Sequence, residues 1–302
     1  MKVYTVIVAY NGMKWIEQCL KSIVNQSEVI VVDNNSSDET LNVIKINFPN
    51  VIVLAQHENH GFGIANNIGI SYAINKGADA VFLLNQDAFA QPNCILNLIK
   101  VSDNNPDFGI ISPVHFNGDG SALDFTFQKI TYMSKIISDL IFNKKSEEIY
   151  EFNFVNAAAW FIPKKTLLNV GGFDPIFFLY GEDVNYCQRV IYHGFKIGIT
   201  INSIIFHDSK NDNYTDGQIG SDKYFRQFVN SFNIKYADVN KDIYKVDYRF
   251  KFYLIRKVIL KVLMFKFKDA FVEVNKFKLI NSTKIKNSIV LNRQSNSNYL
   301  DI

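Results

Sequence analysis

The chain has 302 residues, of which 48% are hydrophobic and 20% are charged. This is the composition of an ordinary globular protein that buries a large core, and the length suits one large α/β domain with an appendage. Three widely spaced cysteines, Cys19, Cys94 and Cys187, are typical of a reducing compartment. The first residues lead directly into a strand pattern, so we expect no secretory signal and a protein that stays in the cytoplasm.

The formal net charge of +3 is unevenly distributed along the chain. Residues 240–302 carry 14 Lys and Arg against 5 Asp and Glu, a net charge of +9, whereas the rest of the chain has a net charge of −6. A basic C-terminal segment after an acidic body indicates a polyanionic partner, either a membrane surface or a nucleic acid.

The first hundred residues alternate strand and helix patterns. Apolar runs predict strands at residues 3–10, 29–32, 51–54 and 80–84. The segments between these strands have the apolar spacing of helices, and the third of these helices is predicted to end at Gly77. Because strands and helices alternate, we expect an α/β fold with a mostly parallel central sheet flanked by helices.

The pattern is less regular after residue 110. Residues 121–150 give no clear prediction, and residues 152–162 form an apolar segment. A helix is predicted at residues 183–193, followed by a strand at residues 195–205.

The C-terminal part differs in kind, because residues 250–268 mix large apolar side chains with Lys and Arg. Charges interrupt every apolar run well short of the roughly 18 residues that a membrane-spanning helix needs. This pattern fits a helix that lies on a membrane surface, and it fits equally a helix that packs on the body with its basic face in solvent.

Asp87 follows the predicted strand at residues 80–84, at the sheet edge where α/β proteins bind ligands. A single carboxylate there can hold a hard cation such as Mg²⁺ together with the phosphate oxygens of a ligand. His207, after the last strand, is a candidate further ligand that would favour Mn²⁺, although by itself it also fits an ordinary surface loop.

Glu182 and Asp183 begin a predicted helix, where the helix dipole favours ionised carboxylates. An ionised carboxylate near a hydroxyl can act as a general base, a role worth about 10²- to 10⁴-fold in rate. Ordinary N-capping explains this pair equally well. Together with Asp87, the pair suggests a metal-assisted transfer reaction.

Two further segments could contact a nucleotide. Asp33, at the end of the second strand, could accept the imide N–H of a pyrimidine base, while a plain loop with an N-cap is the alternative. Residues 59–69 open a helix with Gly61 and Gly63, so its amides could face a diphosphate. The spacing of these glycines matches neither a dinucleotide-binding loop nor a P-loop. Close packing of the helix would explain the two glycines equally well.

Taken together, five motifs resemble those of the family 2 glycosyltransferases, with the bacterial rhamnosyltransferase-like branch as the nearest match. The motifs are residues 5–11 (TVIVAYN), 32–38 (VDNNSSD), 61–69 (GFGIANNIG), 84–87 (LNQD) and 181–189 (GEDVNYCQR). The resemblance implies the GT-A nucleotide-diphospho-sugar transferase fold and metal-dependent inverting transfer, with Mn²⁺ or Mg²⁺ as the cofactor.

The resemblance also implies a domain organisation. It covers residues 1–210, which would form the catalytic domain, with a donor-binding half at about residues 1–110 and an acceptor half at about residues 111–210. Residues 211–302 would form a basic, aromatic-rich helical extension.

Roles in donor binding follow from the matching positions. Ala9, Tyr10 and Asn11 would line the base pocket, and Asp33 would hydrogen-bond uracil or thymine. Further donor-binding residues implied by the motifs are Asn35, Gly61, Phe62, Asn66, Asn85 and Gln86.

The resemblance also assigns the catalytic and metal-binding positions. Asp183 matches the catalytic base, with Glu182 beside it. Asp87 matches the last residue of the D-x-D metal motif, and His207 matches a histidine that some members use near the metal or the diphosphate. The first carboxylate of that motif is replaced by Asn85.

The implied partners are a dTDP- or UDP-linked sugar donor, with rhamnose as one candidate, and a saccharide acceptor held on a lipid. Residues 245–302 would place the enzyme on the anionic inner face of the plasma membrane, and no nucleic-acid partner is expected. Two alternatives stay open: a non-catalytic nucleotide-sugar binder or assembly protein, and a sugar nucleotidyltransferase. The second is disfavoured because the first strand ends in Ala9-Tyr10-Asn11-Gly12, with a single Gly and no Arg.

Overall fold

A computed structural model describes residues 1–209, 217–241 and 246–302, with side chains from residue 248 onward in the last range. Residues 210–216, which include the predicted domain boundary, and residues 242–245 of the predicted extension lie outside the described residues.

A single mixed sheet forms the centre of the molecule. The strands found in the described ranges are β1 (Val3–Ala9), β2 (Glu28–Asp33), β3 (Ile52–Ala55), β4 (Ala80–Leu84), β5 (Ala88–Ala90), β6 (Phe108–Asn117), β7 (Tyr150–Phe152), β8 (Ala159–Pro163) and β9 (Lys196–His207). Their order is β3-β2-β1-β4-β8-β6-β9-β5, with β7 beside β9.

The predicted parallel arrangement holds for the first four strands, where β2 pairs with β3 and β1 pairs with both β2 and β4. In the second half, β8 runs antiparallel to both β4 and β6, and β5 and β7 run antiparallel to β9. Antiparallel neighbours need no helical crossover, which is why the alternation of strands and helices fades there in the sequence.

Helices cover both faces of the sheet. The helices in the described ranges are α1 (Ile16–Ile23), α2 (Thr40–Asn47), α3 (Gly61–Asn75), α4 (Cys94–Asn104), α5 (Phe125–Thr131), α6 (Lys135–Ile141), α7 (Lys164–Val170), α8 (Glu182–Tyr192), α9 (Asp222–Tyr236), α10 (Val246–Leu263), α11 (Phe267–Ser282) and α12 (Ile285–Asn292). Helices α5 and α6 and the start of strand β7 account for half of residues 121–150, which the sequence pattern left unassigned.

Each face of the sheet has its own hydrophobic core. On one face α3, α7 and α8 pack around Trp160, which stacks on Phe173 with ring centroids 6.0 Å apart. On the other face α1 and α4 pack over Phe82 and Phe161, both fully buried. The sheet is thus buried between two layers of helices.

The register of the parallel strands aligns their carboxyl ends. Ala9 at the end of β1 pairs with Asp33 at the end of β2, and the Asn34 amide donates to the Ala9 carbonyl at 2.7 Å. The loops after β1, β2 and β4 therefore meet at one edge of the sheet, as expected for an α/β ligand site.

The end of the chain packs on the body. Leu300 packs against the core beneath α3, the Asp301 amide donates to Ser71 Oγ at 3.0 Å, and Asn292 donates to Asp174 at 2.6 Å. The last residues of the predicted extension thus support the catalytic core. The domain boundary at residue 210 stays a prediction.

Candidate active site

The carboxylate of Asp33 lies at the carboxyl end of β2. Its side chain is 2% exposed, Oδ2 accepts from the Ser36 amide at 3.3 Å, and Oδ1 has no hydrogen-bond partner among the described residues. Since buried polar atoms are nearly always paired, this oxygen suits an N–H donor on a ligand. The neighbouring Ala9 is fully buried in the core, so it can shape a base pocket only through its backbone.

The loop after β1 is joined to the turn after β2. Asn11 has a left-handed φ of 48°, and its amide donates to Ser36 Oγ at 3.0 Å. Asn35 is also left-handed, with a φ of 68°, and its side chain is exposed, as is that of Tyr10. The structure therefore brings the predicted donor-binding residues Tyr10, Asn11 and Asn35 to the same edge as Asp33.

The first amides of α3 have partners within the protein. The Gly61 amide donates to Asn59 Oδ1 at 2.8 Å, and the Phe62 amide donates to the Phe178 carbonyl at 3.2 Å. The Asn66 side chain is buried and donates to the Phe62 carbonyl at 3.0 Å. For these amides to face a diphosphate, as the sequence predicts, the Phe62 amide has to separate from the Phe178 carbonyl and the Gly61 amide from the Asn59 side chain.

Asn85 and Gln86 connect the end of β4 to neighbouring segments. The Asn85 amide donates to the Ala158 carbonyl at 2.9 Å, and the Gln86 side chain bonds to the backbone of Tyr10. Both side chains are uncharged, so Asp87 is the only carboxylate in this short turn.

Strand pairing brings Asp87 and His207 together. Strand β5 pairs with β9 so that Ala88 lies opposite His207, which is the last residue of β9. The Nε2 atom of His207 is 3.4 Å from Oδ1 of Asp87. Two residues about 120 positions apart in the sequence, both predicted as metal ligands, are thus neighbours.

A second carboxylate, Asp124, contacts the other ring nitrogen of His207. Asp124 Oδ2 is 3.2 Å from His207 Nδ1, and the Asp124 side chain is 2% exposed. This residue was missed because it lies in residues 121–150. It is the N-cap of α5, where Oδ1 accepts from the Phe127 amide at 2.9 Å, and the capping preference of Asp is the signal that could have located it.

The two carboxylates decide the charge of His207. Burial lowers the pKa of His207, but hydrogen bonds and charges from Asp124 and Asp87 outweigh burial and raise the pKa well above its ordinary value. At neutral pH this raised pKa favours the positively charged imidazole, and a cation bound at Nε2 would displace a proton.

No group of three or more His, Cys, Asp and Glu side chains that could hold a metal ion occurs in the part of the chain that the structure describes. Asp87 and His207 offer one oxygen and one nitrogen 3.4 Å apart, a donor set that suits Mn²⁺. Cations that bind phosphates often use only one or two protein ligands. The two residues therefore fit a cation whose coordination a diphosphate completes.

Glu182 and Asp183 form the first turn of α8 and differ in environment. Burial, with a smaller effect from the Asp183 charge, raises the pKa of Glu182 to about 7, and Glu182 Oε2 has no partner among the described residues. Asp183 is half-buried. Burial also raises the pKa of Asp183, partly offset by backbone hydrogen bonds from Val184 and Ala157.

The expected ionisation at this helix start is therefore not found for Glu182, because burial outweighs the helix dipole there. Asp183 is the more accessible carboxylate of the pair. Asn185, two residues further along α8, is fully buried and cannot reach an acceptor.

Arg189 joins α8 to the segment that precedes it in the fold. Its guanidinium is fully buried, donates to the carbonyl groups of Gly172 and Val170, and lies over the rings of Tyr186 and Tyr299.

Parts of this chain match known proteins in sequence. Residues 4–161, more than half of the chain, match the model of "Glycosyl transferase family 2". The hexosyltransferase Agl10 of low-salt glycan biosynthesis from Haloferax volcanii is 24% identical over 195 residues, which are 64% of this chain and 62% of Agl10. The dTDP-rhamnosyl transferase RfbF from Shigella flexneri is 25% identical over 199 residues, which are 65% of this chain and 66% of RfbF. The chain thus spans just under two thirds of the length of each relative.

Solved structures show the same fold. The crystal structure of GalNAc-T7 with UDP, GalNAc and Mn²⁺ superposes with a TM-score of 0.57 at 16% identity, covering 78% of this chain and 50% of GalNAc-T7. This confirms the predicted GT-A fold. The fold and the sequence match agree, and the chain belongs to glycosyl transferase family 2.

Proposed function

We propose that the chain is an inverting, metal-assisted glycosyltransferase that moves a sugar from a pyrimidine nucleoside-diphosphate donor to a saccharide acceptor in bacterial surface-glycan synthesis. The observation that supports this most directly is the clustering of two acidic sites at one sheet edge. In the sheet, Asp33 on β2 lies opposite Ala9 on β1. Tyr10 follows Ala9 in the chain, and its backbone is hydrogen-bonded to the side chain of Gln86, the residue before Asp87. A base held at Asp33 and a diphosphate held at Asp87 would thus belong to one donor.

The mechanism is a single displacement. A divalent cation held by Asp87 and His207 would neutralise negative charge on the departing nucleoside diphosphate. Asp183 takes the proton from an acceptor hydroxyl, whose oxygen attacks the anomeric carbon from the face opposite the diphosphate. The bond from the anomeric carbon to the diphosphate oxygen breaks, its electron pair stays on the diphosphate, and the configuration at the sugar is inverted.

Donor class can be tested by thermal shift with a panel of nucleotide sugars, with and without Mn²⁺. A ligand that binds only the folded protein stabilises it, so dTDP- or UDP-sugars should raise the melting temperature, and this rise should be larger with Mn²⁺. The GDP- and ADP-linked forms of the same sugars should leave the melting temperature unchanged. RfbF is a dTDP-rhamnosyl transferase, so dTDP-rhamnose is the first donor to test. Equal shifts with purine and pyrimidine donors would contradict the assignment of Asp33.

The alternative of a non-catalytic binder rests on the missing first carboxylate of the metal motif, where Asn85 stands. Donor hydrolysis and transfer assays separate the two functions. A catalyst should release nucleoside diphosphate at a rate that Asp87→Ala and Asp183→Asn each lower. A binder would give the same thermal shifts with no release of nucleoside diphosphate.

The acceptor is proposed to be held on a lipid at the inner face of the membrane, and one surface fits this location. Helices α10 and α11 pack against each other as a hairpin. Residues 260–271, here called the hairpin tip, expose seven large apolar side chains. These are Leu260, Val262, Leu263, Met264, Phe265, Phe267 and Phe271.

Charge indicates what this tip contacts. It carries three lysines and one aspartate, and both Lys266 and Lys268 are exposed beside the aromatic residues. Within the described ranges, none of the helices combines the length and apolarity needed to cross a bilayer. Exposed aromatic residues flanked by lysines suit insertion at the interface of an anionic membrane.

Liposome sedimentation tests this surface. The full chain should bind vesicles that contain phosphatidylglycerol and should not bind pure phosphatidylcholine vesicles. The double variant Phe265→Ser, Phe267→Ser should lose this binding, whereas the matched control Tyr132→Ser, Met133→Ser, also at exposed positions, should keep it. Vesicle binding unchanged in the first variant, or a change of oligomeric state instead, would contradict the proposed membrane contact.

A further inference from the structure

Asp124 is a buried carboxylate that the proposed mechanism does not use. Its backbone is fixed, because the Asp124 amide donates to the His115 carbonyl of β6 at 2.9 Å. Its side chain is 2% exposed and caps α5 through Oδ1. The second oxygen, Oδ2, is therefore held at a defined position in the protein interior.

This second oxygen faces His207. The distance from Oδ2 to Nδ1 of His207 is 3.2 Å, and Ser209 Oγ donates to the same oxygen at 3.0 Å. A carboxylate can only accept hydrogen bonds, so Nδ1 of His207 must carry a hydrogen to make this contact. In a neutral imidazole the other nitrogen, Nε2, then carries a lone pair.

The Nε2 atom is directed to the predicted metal site, where a cation that displaces its proton would meet the lone pair. Nε2 lies 3.4 Å from Asp87 Oδ1. Histidines that bind metals usually donate their second nitrogen to a carboxylate, which fixes both the tautomer and the ring orientation. The chain Asp124–His207–Asp87 has this arrangement.

We infer that Asp124 is a positioning residue that holds His207 with Nε2 toward Asp87 and so completes the cation site. The inference rests on the proposed metal-assisted function and names a residue outside the family motifs quoted above. A carboxylate that served only as a helix cap would need Oδ1 alone, whereas here the second oxygen is engaged by His207.

The two roles of Asp124 can be separated by substitution. In Asp124→Asn the side-chain oxygen can still cap α5, since Asn caps as well as Asp, but an NH₂ group replaces the acceptor that faces His207. Asp124→Ser also keeps a capping hydroxyl and removes the acceptor, and it serves if the Asn variant folds poorly. Ser209→Ala is the matched control, because it removes the other donor to Oδ2 and leaves His207 untouched.

The experiment measures Mn²⁺ binding to the full chain by electron paramagnetic resonance, with electron spin echo modulation to detect a nitrogen ligand. Wild type and Ser209→Ala should bind Mn²⁺ in the presence of UDP and show ¹⁴N modulation. Asp124→Asn and Asp124→Ser should bind about 10- to 100-fold more weakly and lose this modulation, as should His207→Gln.

The outcomes distinguish the inference from the proposed function. Retained affinity and ¹⁴N modulation in folded Asp124→Asn or Asp124→Ser would overturn the role of Asp124 and leave the metal site intact. Absence of Mn²⁺ binding or of ¹⁴N modulation in the wild type would overturn the metal site itself, and with it the inference.

Discussion

The side chain of Gln86 forms two hydrogen bonds with the backbone of Tyr10, accepting from its amide at 3.0 Å and donating to its carbonyl at 3.2 Å. This pair joins the loop after β4 to the loop after β1. The predicted metal-binding turn and the predicted base pocket therefore form one rigid unit, which is what a donor that spans both requires.

The link between Gln86 and Tyr10 can be tested by a double-mutant cycle. Gln86→Ala removes both hydrogen bonds, and Gly12→Ala displaces Gln86, because a Cβ at Gly12 would overlap its Oε1 atom. Each change should weaken donor binding about 5- to 10-fold, the size of about one hydrogen bond. Calorimetric titration should show that the double variant binds the donor no more weakly than either single variant. Additive losses of binding free energy would show instead that Gln86 and Gly12 act independently.

Gly61 is predicted to be needed for contact with the loop at Phe178. It has a φ of 78°, and a Cβ there would overlap the Phe178 carbonyl oxygen. Gly77, at the other end of α3, has a φ of 80° with nothing within 4 Å of an added Cβ, so Gly77→Ala is a matched control for backbone strain. We expect Gly77→Ala to lower the free energy of unfolding by about 1 kcal/mol and Gly61→Ala by roughly 2 to 3 kcal/mol in urea titrations. Equal losses would show that the Phe178 contact is unimportant.

Asp183 is predicted to act as the general base. Asp183→Asn should lower kcat about 10²- to 10⁴-fold without weakening donor binding, because the acceptor proton then has no base. Asp222→Asn, in the exposed first turn of α9, is the control and should retain full activity.

The pH dependence adds a second test of Asp183. Since burial raises the pKa of Asp183, the wild-type rate should rise with pH through that raised pKa and then level off. A pH profile of kcat checks this, and a profile that keeps its acid limb in Asp183→Asn would assign the base to another group.

Glu182 is predicted to make stability depend on pH. Its pKa is about 7 in the folded protein against an ordinary value of 4.5, so the folded state binds more protons between these values and stability falls as pH rises from 4.5 to 7. Glu182→Gln keeps a neutral side chain and should raise the free energy of unfolding by roughly 2 kcal/mol at pH 8, with little effect at pH 4.

Urea titrations at the two pH values measure this effect. Glu58→Gln is the control, because the Glu58 side chain is 78% exposed, and it should change the free energy of unfolding only slightly at either pH. A Glu182→Gln variant that is destabilised at pH 8 would show that the ionised carboxylate is stabilised by the fold.

Much of this protein could be predicted from local sequence. The strands that end at Asp33 and Leu84 are continuous apolar runs because they are buried on both faces, and the helix from Gly61 ends just before Gly77, whose φ is positive. Such signals depend on residues within one turn or one strand, so they can be read without the rest of the chain. Each family motif is likewise a short continuous segment, so it could also be recognised from the sequence alone.

The arrangement around His207 was decided only by tertiary structure. Asp87, Asp124 and His207 come from three separate segments and meet because β5 and β6 both pair with β9. The raised pKa of Glu182 and the partners of the Phe62 amide likewise depend on residues distant in sequence. Burial and long-range pairing set these properties, and neither is encoded in the spacing of neighbouring residues.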